Sequence, residues 1–215
     1  MKQLFLGVSD DALLSLFRAA YPEDKAKAMA DTLRTRYGSL ASILKISLAL
    51  LEEDIGKEAA LYLRLSLSLY IRSVTDRLKS GDTVTEAVLA RHFSALYADA
   101  AEETVYAVLV DKEDRLLSVS RVAIGSADAS SLQPRQVLEL AVRAKANGVF
   151  LTHNHPGGTL IPSASDKKIT DAVMAALSTA RIRFLGHYIF ADADFVRIGE
   201  KNGAADASQN FKEIR

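Results

Sequence analysis

The sequence predicts an α+β protein in which an all-helical segment precedes a mixed α/β sheet. Residues 1 to about 78 carry apolar side chains at helical spacing, whereas residues from about 80 to 200 place short apolar, strand-like runs around two helical segments. The polar stretch 77–82 includes Gly81 and separates the two patterns. We therefore expect a helical domain over 1–78, a sheet domain over 79–200 and a polar tail over 201–215.

Composition narrows the possible functions. A chain of 215 residues with 49% hydrophobic content can bury one large or two small cores. Basic and acidic residues balance at 27 each, so the whole molecule has no bias toward nucleic acid or anionic membrane. Neither a long apolar run nor a signal pattern is present, which predicts a cytoplasmic protein without a membrane span. Because cysteine is absent, strong metal ligands must be histidines and carboxylates.

Residues 1–78 are predicted to form helices with recognisable start residues. Residues 9–11 can cap the first helix, and Pro22 lies at the start of the second. Ser39 and Ser47 can each begin a further short helix. Leucine alternates with mostly polar residues over 61–69, which is a strand period, but leucine favours helix and β-branched residues are nearly absent there. We predict a helix.

Residues 79–200 are predicted to alternate strands and helices. Thr83 and Glu86 form a possible capping box for a helix that extends to about Tyr97, and Pro134 and Ser163 mark the starts of two later helices. Strands are predicted at 104–110, 116–124, 149–154, 184–190 and 195–198.

Two histidines at the end of the third strand are the main candidate site. His153 and His155 are two residues apart, so their side chains can lie on one face of the strand. The segment 156–158 turns the chain, and Asp166 then lies in the first turn of the next helix. Two histidines and one carboxylate supply three protein ligands, which is the number that a catalytic zinc uses when its fourth position is left for water. In the alternative interpretation, Ser163 and Asp166 are only a helix capping box.

These residues carry a family resemblance. His153-x-His155-Pro156 followed by Ser163-x-x-Asp166 resembles the signature of the JAMM metallopeptidase (MPN) fold, and the Pro-Gly-Gly turn with Asn154 resembles its RadC branch. Further similar blocks occur at 33–40, 55–59, 125–126, 133–137 and 186–189. The resemblance implies Zn²⁺ bound by His153, His155 and Asp166, hydrolysis of an amide or isopeptide bond in a protein or peptide, and Ser163 as a hydrogen-bond donor to the oxyanion.

The resemblance also implies a glutamate that acts as general base, four residues before the glycine that matches Gly125. Arg121 occupies that position, and an arginine cannot accept a proton at physiological pH. Glu113, in a predicted hairpin turn, and Glu139, on a predicted helix, are poor substitutes. His187 is expected to be structural, because a fourth protein ligand would close the site to water.

The N-terminal segment resembles the helix-hairpin-helix modules of RadC proteins in a degenerate form. Such modules present a Gly-x-Gly turn to phosphate, but this chain has Asp54-Ile55-Gly56 there, with Glu52 and Glu53 adjacent. Residues 1–80 hold twelve basic and ten acidic side chains, which gives only weak support for nucleic-acid binding. Three functions remain open: a zinc hydrolase, a catalytically impaired zinc-binding scaffold and a DNA-repair-associated accessory protein.

Overall fold

Helices build the N-terminal part of the protein around one apolar core. The computed structural model describes residues 12–125, 132–191 and 194–198, so the predicted cap at 9–11 and the predicted tail at 201–215 lie outside the described residues. The core of this part contains Phe17, Leu33 and Leu51. The helices are α1 (Ala12–Arg18), α2 (Glu23–Tyr37), α3 (Leu40–Leu44), α4 (Leu48–Ile55) and α5 (Lys57–Thr75).

The predicted helix starts are confirmed where serine caps them. The Ser39 side chain accepts a hydrogen bond from the backbone N–H of Ser42 at the start of α3. Ser47 accepts one from the backbone N–H of Leu50 at the start of α4. Each serine satisfies a backbone donor that has no partner within its helix.

The leucine-rich segment is a helix, as predicted. α5 buries Leu63 in the core of the helical part and also buries Leu67, whereas Leu65 and Leu69 are 62% and 70% exposed. The alternation of leucine with polar residues therefore does not correspond to alternating buried and exposed sides of a strand.

Within the described residues, no helix has the length and apolar character needed to cross a membrane.

Asp54, which stands where a helix-hairpin-helix module carries the first glycine of its turn, makes polar contacts inside the helical part. Its carboxylate forms an ion pair with Arg36 and accepts a hydrogen bond of 2.5 Å from the Tyr37 hydroxyl. The Asp54 side chain is 1% exposed. A buried carboxylate needs such partners, so this aspartate joins α2 to the end of α4.

A five-stranded mixed sheet forms the second part, which confirms the α+β prediction. Its strands lie in the order β2-β1-β3-β4-β5, and only β3 and β4 run parallel. The elements are α6 (Glu86–Leu96), β1 (Thr104–Val110), β2 (Leu116–Ile124), α7 (Pro134–Arg143), β3 (Gly148–Asn154), α8 (Ala164–Thr179), β4 (Arg183–Ala191) and β5 (Asp194–Ile198).

Each face of the sheet has its own core. One face packs against α7 and α8 through residues such as Leu151, Val137 and Val173. The other face packs against α6 through aromatic residues such as Phe93 and Phe190. The central strand β3 is buried along its whole length.

The predicted capping box of α6 is wrong. Thr85 caps α6 by accepting a hydrogen bond from the backbone N–H of Val88. Thr83 instead forms an isolated β-bridge with Arg115, a long-range pairing that local spacing does not indicate.

Candidate metal centre

The end of β3 places both histidines on the face that packs against α8. Side chains alternate along a strand, so His153 lies on the same face as Leu151 of the α7 and α8 core. The backbone N–H of His155 donates to the Phe190 carbonyl at 2.8 Å, which continues the pairing with β4 by one residue. The chain then turns at Gly158, whose φ of 77° is favourable for glycine.

The first turn of α8 supplies the carboxylate. Ser163 and Asp166 form a complete capping box, in which Asp166 Oδ2 accepts from the Ser163 backbone N–H at 2.7 Å. Asp166 Oδ1 also lies 3.3 Å from His153 Nε2, and Oδ2 lies 3.5 Å from His155 Nε2. The capping interpretation and the ligand interpretation are therefore compatible, because one carboxylate serves the helix and faces both imidazoles.

A second carboxylate, missed by the sequence analysis, lies at the same point. β1 pairs antiparallel with β3, and Val105 is opposite His153. Glu103 precedes Val105 by two residues, so it lies on the same face. Glu103 Oε1 is 3.9 Å from His153 Nε2, and ligand atoms of Glu103, His153, His155 and Asp166 all lie within 4.8 Å of one another. The only sequence signal was an acidic residue directly before a buried strand.

Arg121 lies away from this cluster. In the β1–β2 ladder it is opposite Tyr106. Directly paired residues share a face of the sheet, and Tyr106 and Val119 pack into the aromatic core on the α6 side. The Arg121 side chain is exposed. Position 121 therefore faces away from His153, and Glu103 is the glutamate that the fold brings to the histidines.

Burial keeps the central imidazole neutral. Desolvation lowers the pKa of His153 to about 4, although the nearby Asp166 carboxylate opposes this shift. Desolvation also holds the pKa of His187 well below its usual value, and the neighbouring imidazoles add to the effect. Neutral imidazole is the form that binds a metal ion.

The donor set fits a zinc ion. His155 Nδ1 lies 2.8 Å from the Thr159 carbonyl oxygen, which can only accept, so Nδ1 carries the proton and the Nε2 lone pair faces the cluster. His153 Nε2 lies 3.0 Å from His155 Nε2. Two zinc ligands bonded at about 2.0–2.2 Å in a tetrahedral arrangement lie about 3.4 Å apart. The distances among the ligand atoms of His153, His155 and Asp166 are 3.0, 3.3 and 3.5 Å, close to this value. Glu103 is farther from His153, at 3.9 Å.

The helical part contacts the turn after the histidines. Lys45, at the end of α3, donates a hydrogen bond of 3.1 Å from Nζ to the carbonyl oxygen of Pro156. The turn also carries the Gly158 N–H donor to the His155 carbonyl at 3.0 Å. The position of the second histidine is thus supported from both parts of the protein.

Comparison with known proteins identifies the family of the chain. Residues 83–203, more than half of the chain, match the family model described as "RadC-like JAB domain". A UPF0758 protein of Vibrio cholerae is 30% identical over 198 residues, which cover 90% of this chain and 88% of the relative. UPF0758 proteins of Tolumonas auensis and Aeromonas hydrophila are each 31% identical, over 90% and 91% of this chain and 88% and 89% of the relatives. The chain therefore belongs to the RadC family and carries its JAB (MPN) domain.

Proposed function

We propose that this protein is a zinc-dependent peptidase that hydrolyses an amide or isopeptide bond in a protein or peptide. One observation carries the proposal: two imidazole nitrogens and two carboxylates from three separate segments of the chain converge within 4.8 Å of one another. His153, His155 and Asp166 would hold the zinc. When bound there, zinc supplies a Lewis acid that polarises a carbonyl and makes water acidic enough to act as a nucleophile near neutral pH.

Glu103 is the proposed general base. Its side chain is 14% exposed, so it is accessible to water at the edge of the cluster. It takes a proton from the attacking water as the new C–O bond forms, and it returns that proton to the leaving nitrogen as the C–N bond breaks. This assignment supplies the base whose absence had favoured the scaffold alternative.

Ser163 is the proposed donor to the developing oxyanion. Its oxygen accepts the Asp166 backbone N–H at 3.0 Å, so its own O–H remains a donor. The residue is exposed at the start of α8, beside the ligand Asp166. A hydrogen bond from this position strengthens as negative charge grows on the substrate carbonyl oxygen, which lowers the barrier to reaction.

Metal analysis tests the proposal directly. The purified protein should contain about one zinc per chain, and the metal should be lost in His153→Ala and Asp166→Asn. His92→Gln is the matched control, because His92 lies on α6 and contacts Phe93 rather than the cluster. The holoprotein should also cleave members of a peptide and isopeptide library, and a chelator should stop cleavage. Zinc content that is equal in all four proteins would refute the metal site.

The DNA-associated alternative has its own test. Binding through phosphate contacts must weaken steeply as salt rises. A gel-shift titration of the full chain across salt concentrations should show no tight complex at moderate salt. A tight, salt-sensitive complex there would support a nucleic-acid partner for the helical part.

A further inference from the structure

A chain of buried polar groups lies behind the proposed zinc ligand His153. His153 Nδ1 is 2.8 Å from His187 Nε2, and His187 Nδ1 is 2.7 Å from Thr170 Oγ1. Thr170 Oγ1 is in turn 2.6 Å from the Asp166 carbonyl oxygen. His153, His187 and Thr170 are each at most 2% exposed. Groups buried this deeply depend on one another for hydrogen bonds.

The direction of every hydrogen bond in this chain follows from its last member. A carbonyl oxygen can only accept, so the Thr170 hydroxyl must donate its single proton to Asp166. The hydroxyl oxygen then accepts from His187, which places the His187 proton on Nδ1. The buried Asp166 carbonyl therefore determines the tautomer of His187.

The same reasoning continues to the ligand. Neutral His187 with its proton on Nδ1 has a lone pair on Nε2, so it accepts from His153 Nδ1–H. His153 is then left with its lone pair on Nε2, the atom that lies 3.0 Å from His155 Nε2. In the opposite arrangement, His153 would carry a proton on Nε2 that a metal ion must displace.

We infer that Thr170 and His187 are positioning residues that fix His153 in its metal-binding tautomer. The hydrogen-bonded chain from Thr170 through His187 to His153 is called the relay below. Asp166 takes part in two ways, because its side chain faces the cluster and its backbone carbonyl accepts the Thr170 proton that orients the relay. The relay couples the first turns of α8 to β3 and β4, so docking of the helix on the sheet prepares the ligand. This inference deepens the proposed zinc peptidase function and rests on it.

Paired substitutions at Thr170 test the relay. Thr170→Val keeps the shape but removes the hydroxyl, whereas Thr170→Ser keeps the hydroxyl. Zinc affinity, measured by competition with a chromophoric chelator, should fall about 10- to 100-fold in the valine variant and stay close to the parent value in the serine variant. Thermal unfolding in chelator checks that both variants fold. Equal affinities in all three proteins, or equal losses in both variants, would overturn the inference.

A second measurement needs neither a variant nor metal. The protein has four histidines, so long-range ¹H–¹⁵N NMR spectra of the metal-free parent near pH 7.5 can resolve each ring. His153 and His187 should both carry their proton on Nδ1. A proton on Nε2 of His153 would overturn the relay even if the protein binds zinc. A parent protein with this tautomer but no zinc affinity would instead refute the proposed function.

Discussion

Replacement of Glu103 by glutamine tests the residue that the fold, rather than the motif, brings to the cluster. Glutamine keeps the size of the side chain but cannot accept a proton from water. Glu103 Oε1 lies 3.9 Å from His153 Nε2, whereas the three proposed ligand residues approach one another to 3.0–3.5 Å. This longer distance favours a base beside the metal over a fourth ligand.

The expected effect of Glu103→Gln is a loss of rate with retention of metal. General-base catalysis contributes about 10²- to 10⁴-fold, which corresponds to about 3–5 kcal/mol of activation free energy. We expect kcat to fall by that factor on a cleavable peptide or isopeptide substrate, while zinc content stays near one per chain. Arg121→Gln is the control, and its activity should equal that of the parent because Arg121 lies on the α6 face of β2.

Two outcomes would refute this reasoning about Glu103. Full activity in Glu103→Gln would show that another group takes the proton. Loss of zinc together with activity would show that Glu103 is a ligand, which would leave the base unassigned.

Two further predictions follow from Ser163 and His153. Ser163→Ala should lower kcat about 10²- to 10³-fold and also reduce the free energy of unfolding by about 1 kcal/mol, because the oxyanion donor and the α8 cap are both lost. Ser163→Thr should retain both the donor and the cap. Equal rates for the alanine and threonine variants would contradict the role of Ser163 as oxyanion donor. The folded-state pKa of His153 is about 4, below the ordinary histidine value of 6.5, so this residue contributes stability that is fully present above pH 6.5 and is lost as pH falls toward 4. At pH 4 the loss is about 3 kcal/mol, and it should appear in urea denaturation of the metal-free parent as the pH-dependent difference from His153→Asn. Identical pH dependence in the two proteins would contradict it.

The local part of the candidate site was predictable because its residues lie within single elements. The i, i+2 spacing of His153 and His155 places both on one face of a strand, and Ser163 with Asp166 spans one helical turn. These relations depend only on strand and helix geometry. The sequence could not show that Asp166 caps α8 and faces the histidines at once, since that requires the docking of α8 on the sheet.

Contacts between residues far apart in the chain determined the features that the sequence alone could not show. Glu103 joins the cluster because β1 pairs with β3 in one register, and a shift of one residue would turn its side chain to the opposite face. The same kind of pairing places Arg121 opposite Tyr106, away from the site. The compensation of Asp54 by Arg36 likewise depends on contact between two helices that are separate in the chain.

The sequence by itself determined the helical and strand-forming segments, the absence of thiol chemistry and the identity of three candidate ligands. Each of these follows from periodicity, composition or short spacing. The tertiary structure alone decided which glutamate lies beside those ligands and which buried groups orient His153. The physical reason is that a side chain's position across a sheet is set by strand register, which joins residues far apart in the chain.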